Sequence, residues 1–169
     1  MKKHICIFVT LLVLSSCETK TVEVEVNSTG GMNYGNNEGK KYSFGSDQDN
    51  QIAVDLIMAY ASKDSQAMFE RMADSVSYAP PEGEMMVLPK TAIHDVVKTL
   101  HEPYDSIKRQ VWNAIPLKLE GSDFTRVSVA FKEERYLKDG SKETVRLIDR
   151  IFIREGKIFR VNQWIGDMQ

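Results

Sequence analysis

Asp149 is an acid set in an apolar run, Leu147 to Ile153, where an ionised carboxylate needs partners. If Glu155-Gly156 forms a two-residue hairpin turn, Arg154 faces Lys157, and counting back sets Asp149 opposite Asn162 and Leu147 opposite Trp164. With Asp139-Gly140 as the preceding turn, Ala130 faces Asp149 and Ser128 faces Ile151. Alternation then predicts two faces. One carries Arg126, Ser128, Ala130, Leu147, Asp149, Ile151, Arg160, Asn162 and Trp164; the other carries Val127, Val129, Phe131, Ile148, Phe152, Phe159, Val161 and Ile165, with Glu133 opposite Arg146 near its edge. Asp149, Arg160, Asn162 and Trp164, joined by Tyr78 from an earlier strand, form the candidate ligand site, and Asp149 is the candidate acid or base. The competing reading is a structural Asp-Asn-Arg cluster that sets strand register.

Other reactive side chains have simpler readings. His94 and His101 lie seven apart on one predicted helix and read as surface histidines. Glu82, Glu84 and Asp95 flank a loop and read as solvation, so no metal site is expected. Met68, Met72, Met85 and Met86 read as core and loop filler. Trp112, Trp164, Tyr60 and Tyr78 either line an apolar cavity or fill a core. No nucleophile–base pair, phosphate loop or dinucleotide fingerprint is present, and no cofactor is expected.

Cys17 is reactive for a different reason. Lys2 and Lys3 supply a basic segment, Ile5 to Leu14 an apolar one, and Ser15-Ser16 the small residues before a cleavage point. The apolar run is too short to span a bilayer. Leu14-Ser15-Ser16-Cys17 resembles the lipobox of bacterial lipoproteins, which implies cleavage before Cys17 and lipid on its sulfur. The expectation is a signal peptide over 1–16, a lipidated cysteine and flexible tether over 17–49, and one α+β domain over 50–169, outside the cytoplasm in the cell envelope. Cys6 falls in the signal, so the folded part has no cysteine and thiol chemistry is excluded. Formal charge is −2 with both signs interspersed, which excludes the basic stripe a nucleic-acid partner needs.

These residues must be positioned by helices followed by strands. Ile52, Ala53, Leu56, Ile57 and Tyr60 recur at helical spacing from Gln51 to about Lys63. Asp64 caps a second helix with Ala67, Met68, Met72 and Ala73 inward, and Val76 to Tyr78 form a short strand stopped by Pro80-Pro81. Thr91 caps a third helix that ends at Pro103. Strands follow over Ile107 to Asn113, resuming at Leu117 to Leu119, then Phe124 to Tyr136, Thr144 to Arg154 and Lys157 to Ile165. The order predicts an α+β fold with helices on one face of an antiparallel sheet.

Ala61-Ser62-Lys63-Asp64, Met72-Ala73-Asp74-Ser75-Val76, Ile148-Asp149-Arg150-Ile151-Phe152 and Glu155-Gly156-Lys157-Ile158, in that order, resemble the nuclear-transport-factor-2-like superfamily in its SnoaL-like and ketosteroid-isomerase-like branch. The resemblance spans Gln51 to Met168. It implies a cone in which a curved sheet encloses three helices and a pocket on the Asp149 face. It also implies a homodimer through the other face, here Val129, Phe131, Phe152 and Phe159. In ketosteroid isomerases a base aspartate, a helix-one tyrosine and a late-strand acid share the work. Only the last is matched, by Asp149; the base and tyrosine positions fall at Pro80 and Leu56, which disfavours that reaction. The expected function is a small-ligand-binding or dimeric interaction module. The alternative is a cofactor-independent cyclase, isomerase or hydratase that uses Asp149.

Overall fold

Ser46 opens the first helix, its side chain accepting from the Asp49 backbone N–H at 3.0 Å. Asp47 and Asp49 occupy the first turn, where the helix dipole favours negative charge. In the computed structural model, which describes residues 30–32 and 35–167, helix α1 runs Asp47–Ala61 and turns Ala53, Leu56, Ile57 and Ala59 inward. A short strand, β1 (Tyr42–Phe44), precedes it and pairs with the strand over Tyr104–Leu119. The ordered unit therefore takes in residues upstream of 50 that composition assigned to the tether. The lipobox and Cys17 lie outside the described residues.

Asp64 caps α2 (Ser65–Arg71) as expected, accepting from the Ala67 N–H at 2.9 Å. Strand β2 (Met72–Ala79) stops at the proline pair, and β3 (Met86–Pro89), which has no counterpart in the sequence reading, folds back antiparallel on it. A 3-10 turn over Lys90–Ala92 leads into α3 (Ile93–His101). Thr91 lies inside that turn and no side chain caps α3, because the turn itself precedes the helix and takes up the Ile93 N–H on the Lys90 carbonyl. Four long strands complete the chain: β4 (Tyr104–Leu119), β5 (Thr125–Leu137), β6 (Lys142–Arg154) and β7 (Lys157–Asp167). The two pieces expected in β4 are one strand bulged at Trp112.

All seven strands form one sheet in the order β1-β4-β5-β6-β7-β2-β3. It is mixed rather than antiparallel, because β2 joins β7 in parallel. The chain leaves β2 through β3 and α3, and after the meander β7 arrives running in the same direction.

The derived register is corrected twice. Glu155 and Gly156 do form the expected turn, both at positive φ, and Arg154 faces Lys157. One extra residue on β7, Phe159, then slips the pairing between Ile153 and Phe152, so that Asp149 faces Gln163, Arg150 faces Asn162 and Ile148 faces Trp164. At the previous hairpin the loop holds three residues, Lys138 to Gly140, with Gly140 at positive φ, and Asp149 faces Val129. Each slip of one moves a strand's side chains to the other face. Val127, Val129, Phe131 and Glu133 therefore share the inner face with Leu147, Asp149, Ile151 and Val161. Arg126, Ser128, Ala130, Ile148, Arg150, Phe152, Arg160, Asn162 and Trp164 point outward. The core is this inner face packed on α1 to α3.

Candidate functional site

The inner face is apolar over Val127 to Phe131 of β5 and Ile151 to Ile153 of β6, and turns polar at Glu133 and Arg135 near the end of β5, at Asp149 on β6 and at Gln163 on β7. Asp149 is 3% exposed. Its cross-strand partner Gln163 donates from Nε2 to Oδ1 at 2.9 Å, the one side-chain hydrogen bond Asp149 makes among the described residues. Gln163 is held in turn, its Oε1 accepting from the Tyr78 hydroxyl at 3.2 Å. The parallel pairing of β2 with β7 brings Tyr78 beside this pair. Burial pushes the Asp149 carboxyl up to about 6, against the pull of the Arg109 charge and the Gln163 hydrogen bond. Burial, helped by the Asp149 charge, pushes the Tyr78 hydroxyl up to about 12.

A second polar cluster adjoins the first. Arg109 on β4 and Glu133 on β5 are direct partners, with Arg109 Nε and Nη2 each 2.6 Å from Glu133 Oε2. Arg135, two residues on, donates from Nε to Glu133 Oε1 at 2.6 Å. Arg109 also donates to the Ile57 carbonyl at 3.1 Å and lies over the rings of Tyr60 at 4.2 Å and Phe131 at 4.8 Å. One carboxylate thus serves two guanidiniums, and Glu133 and Arg109 are nearly sealed from solvent, at 2% and 5% exposure.

These groups line a cavity of about 130 Å³ between the sheet and the helices, walled by Leu56, Met68, Met72, Val76, Ile93 and Val97 among others. That is the size of a single small ring rather than a steroid. Past Tyr60, Tyr78, Arg135 and Gln163 it continues into a wider, more polar vestibule of about 320 Å³ bounded by Pro81, Glu82, Leu100, Tyr104 and Ile165. Tyr60, one turn after Leu56 on α1, reaches the cavity, and burial pushes its hydroxyl up to about 12. Behind it His101 is buried, its Nε2 donating to the Tyr60 carbonyl at 2.8 Å while Nδ1 has no partner among the described residues, and burial holds its pKa below the ordinary value.

Of the residues predicted from sequence, Asp149 and Tyr78 line the cavity. Arg160, Asn162 and Trp164 do not: Arg160 donates to Asn162 Oδ1 at 2.9 Å on the outer face, and Trp164 lies under Arg150 there. The Asp149–Arg160 ion pair is therefore absent, and Arg109 is the cation that acts on Asp149. Leu56 does line the cavity and Pro80 does not. His101 is buried rather than on the surface, whereas His94 is exposed and bonded to Ser65. Glu82, Glu84 and Asp95 are exposed. Of the expected dimer face, Val129 and Phe131 are core, and Phe152 and Phe159 cluster with Phe124.

Arg109, Glu133, Arg135 and Gln163 were missed as site residues. The signal was present: Glu133 and Arg135 continue the stripe Val127, Val129, Phe131, and Arg109 alternates with Ile107 and Val111. A charge that continues a buried stripe is an inward charge.

No protein-family model and no curated protein matches the chain in sequence. Solved structures do match in fold, over 70% of this chain or slightly more in the examples that follow. A protein of unknown function from Burkholderia pseudomallei, described as NTF2-like, superposes with a TM-score of 0.58 at 11% identity, over 70% of this chain and 91% of its own. The fold is NTF2-like. Also similar in fold are TerC, crystallised with polyporic acid (TM-score 0.58, 17% identity, 70% of this chain and 92% of that one), and an epoxide hydrolase of the LEH-like type from Mycobacterium tuberculosis (TM-score 0.57, 6% identity, 72% and 84%). At such identities the likeness extends to the NTF2-like fold and not to the reaction.

Proposed function

We propose that this chain is a cofactor-independent acid–base enzyme acting on a small, largely apolar molecule, carried on a lipoprotein anchor in the bacterial cell envelope. The observation that carries the enzymatic reading is Asp149: a buried carboxyl on a cavity wall, held by one donor, with a pKa near 6. A group so poised exchanges a proton readily near neutrality, as isomerisation, cyclisation or hydration next to a carbonyl requires. Tyr60 and Tyr78 stay protonated at that pH and supply donors rather than bases. The presence of an epoxide hydrolase among the fold neighbours is in keeping with chemistry of this class.

Hydrogen–deuterium exchange at the α-carbon of cyclohexanone, which suits a cavity of this size, tests the reading directly. The wild type is expected to accelerate exchange over buffer, and Asp149→Asn to lower the acceleration by about 10²-fold or more. Equal rates in both proteins would refute it. A binding module is the second reading, favoured by the second acid of the wall, Glu133, being committed to Arg109 and Arg135. Saturable cyclohexanone binding without exchange would select it.

The anchor rests on Leu14-Ser15-Ser16-Cys17. Among the described residues no helix is long and apolar enough to cross a membrane. Cys17→Ser is expected to yield uncleaved or soluble protein with an unchanged melting temperature; an intact mass that lacks lipid on the wild-type Cys17 would remove the assignment.

A homodimer remains part of the proposal, through a different set of outward residues. Asn113, Ala130, Ile148 and Trp164 form one row across β4 to β7, flanked by Trp112 and Ile115. Trp112, Ile148 and Trp164 are 48%, 49% and 47% exposed, a row of large apolar groups that a partner would cover. Sedimentation is expected to show a dimer at micromolar concentration that Ile148→Asp dissociates. A wild type that stays monomeric would sink this.

A further inference from the structure

The charges on the cavity wall do not balance. Lys90, Arg109 and Arg135 contribute three cations, while Glu133 and Asp149 contribute two acids, and burial works against ionisation of one of them, Asp149. The two guanidiniums that meet Glu133 also differ in what they have left to give. Arg109 spends Nε, Nη1 and Nη2 on Glu133 and the Ile57 carbonyl. Arg135 spends only Nε on Glu133; its Nη1 stands 3.7 Å from Glu143, a half-exposed carboxylate, and Nη2 has no partner among the described residues. A guanidinium has five N–H donors in a planar fork, and a fork left open is suited to a carboxylate. Arg135 is also the cation that lines both the cavity and the vestibule; the Lys90 ammonium rests on the Phe69 ring at 4.2 Å.

We propose that the natural ligand is a small lipophilic carboxylate, its acid group received by the open side of the Arg135 guanidinium at the mouth and its apolar body by the cavity that leads to Asp149. This rests on the reading of the cavity as the ligand site, and adds to it the chemical class of the ligand and the residue that selects it. Glu133 keeps Arg135 charged and in place, while Glu143, exposed and at long range, gives way to a closer carboxylate. Glu82, across the vestibule, is exposed and well solvated, so it opposes an incoming anion weakly. With the ligand seated, the excess positive charge of the wall is neutralised in a site where water is scarce.

The test compares benzoate with benzamide, a neutral molecule of the same shape, titrated into the full-length chain at pH 7 and followed by calorimetry. Benzoate is expected to bind at least tenfold tighter. In Arg135→Gln that preference disappears while benzamide binding is retained; in Arg135→Lys, which keeps a cation against Glu133 without the fork, a few-fold preference survives. Melting curves establish that each variant is folded, and the lysine variant decides the matter if the glutamine variant is not. Equal binding of the two probes to the wild type overturns the carboxylate proposal and leaves the cavity reading standing. A benzoate preference that persists unchanged in a folded Arg135→Gln, or in Arg135→Lys where that variant does not fold, overturns the role of Arg135. Binding of neither probe overturns both the proposal and the cavity reading.

Discussion

Asp149→Asn is expected to melt higher than the wild type at pH 7, by several degrees and up to about 10 °C, and to be inactive. Asparagine keeps the shape of the side chain and can still accept from Gln163. What it removes is a charge that the fold disfavours. The folded-state pKa of Asp149 stands at about 6 against 3.8 in the open chain, so the folded protein holds the proton more tightly than the unfolded one. For an acid shifted in that direction, stability is fully present below the unfolded value and is lost as pH rises through the folded value. The loss, on the order of 2–3 kcal/mol, falls between about pH 4 and pH 6. Wild type and variant should therefore melt together at pH 4 and diverge as pH rises, a gap of several degrees for a domain of this size. A variant that melts below the wild type at pH 7 would show that Asp149 is held by partners it does not have here.

Glu133→Gln should do the reverse. Glu133 is as buried as Asp149, but it answers two guanidiniums at 2.6 Å each, and a neutral amide leaves Arg109 in a low-dielectric wall without a direct counter-charge and Arg135 with only Glu143, 3.7 Å away. Breaking a buried ion cluster from one side costs about 3–5 kcal/mol, because the charges left behind are not resolvated. Urea unfolding should give a lower midpoint with an unchanged m-value. Arg109→Met combined with Glu133→Gln should recover part of the loss, since it removes one of the stranded cations. A double variant whose loss equals the sum of the two single losses would mean that the groups are not coupled. Two acids on one inner face thus predict opposite responses to the same kind of substitution.

Much of the scaffold was legible because its signals are local. The caps at Ser46 and Asp64, the stop at Pro80-Pro81 and the Glu155-Gly156 turn each act within a few residues, although Ser46 was passed over inside a stretch whose composition resembles a linker. The strand β3 was not legible, since Met86-Val87-Leu88-Pro89 is four residues long and three of the four are exposed. The site failed at a different level. Its faces were counted outward from turns, and a count is only as good as every residue between the turn and the site. A three-residue loop at Lys138 to Gly140 and one bulged residue at Phe159 each changed the parity, and neither carries a strong local signal. Asp149 kept its place because it sits on the strand common to both errors. Arg160, Asn162 and Trp164 lay beyond the bulge and went to the other side, while Gln163 came in.

The parallel seam between β2 and β7 governs when the site can exist during synthesis. Tyr78 and Gln163, which hold Asp149 in its setting, are 85 residues apart and belong to the second strand and the last. A chain emerging from the ribosome can assemble the β4–β5–β6 meander early from neighbouring hairpins. It cannot close β2 onto the sheet until residues 157–167 are free to lie between β6 and β2. Until then the Asp149 carboxyl has no Gln163 and the cavity no wall on that side. The proposed proton chemistry and ligand capture therefore depend on β7 being in place beside β2.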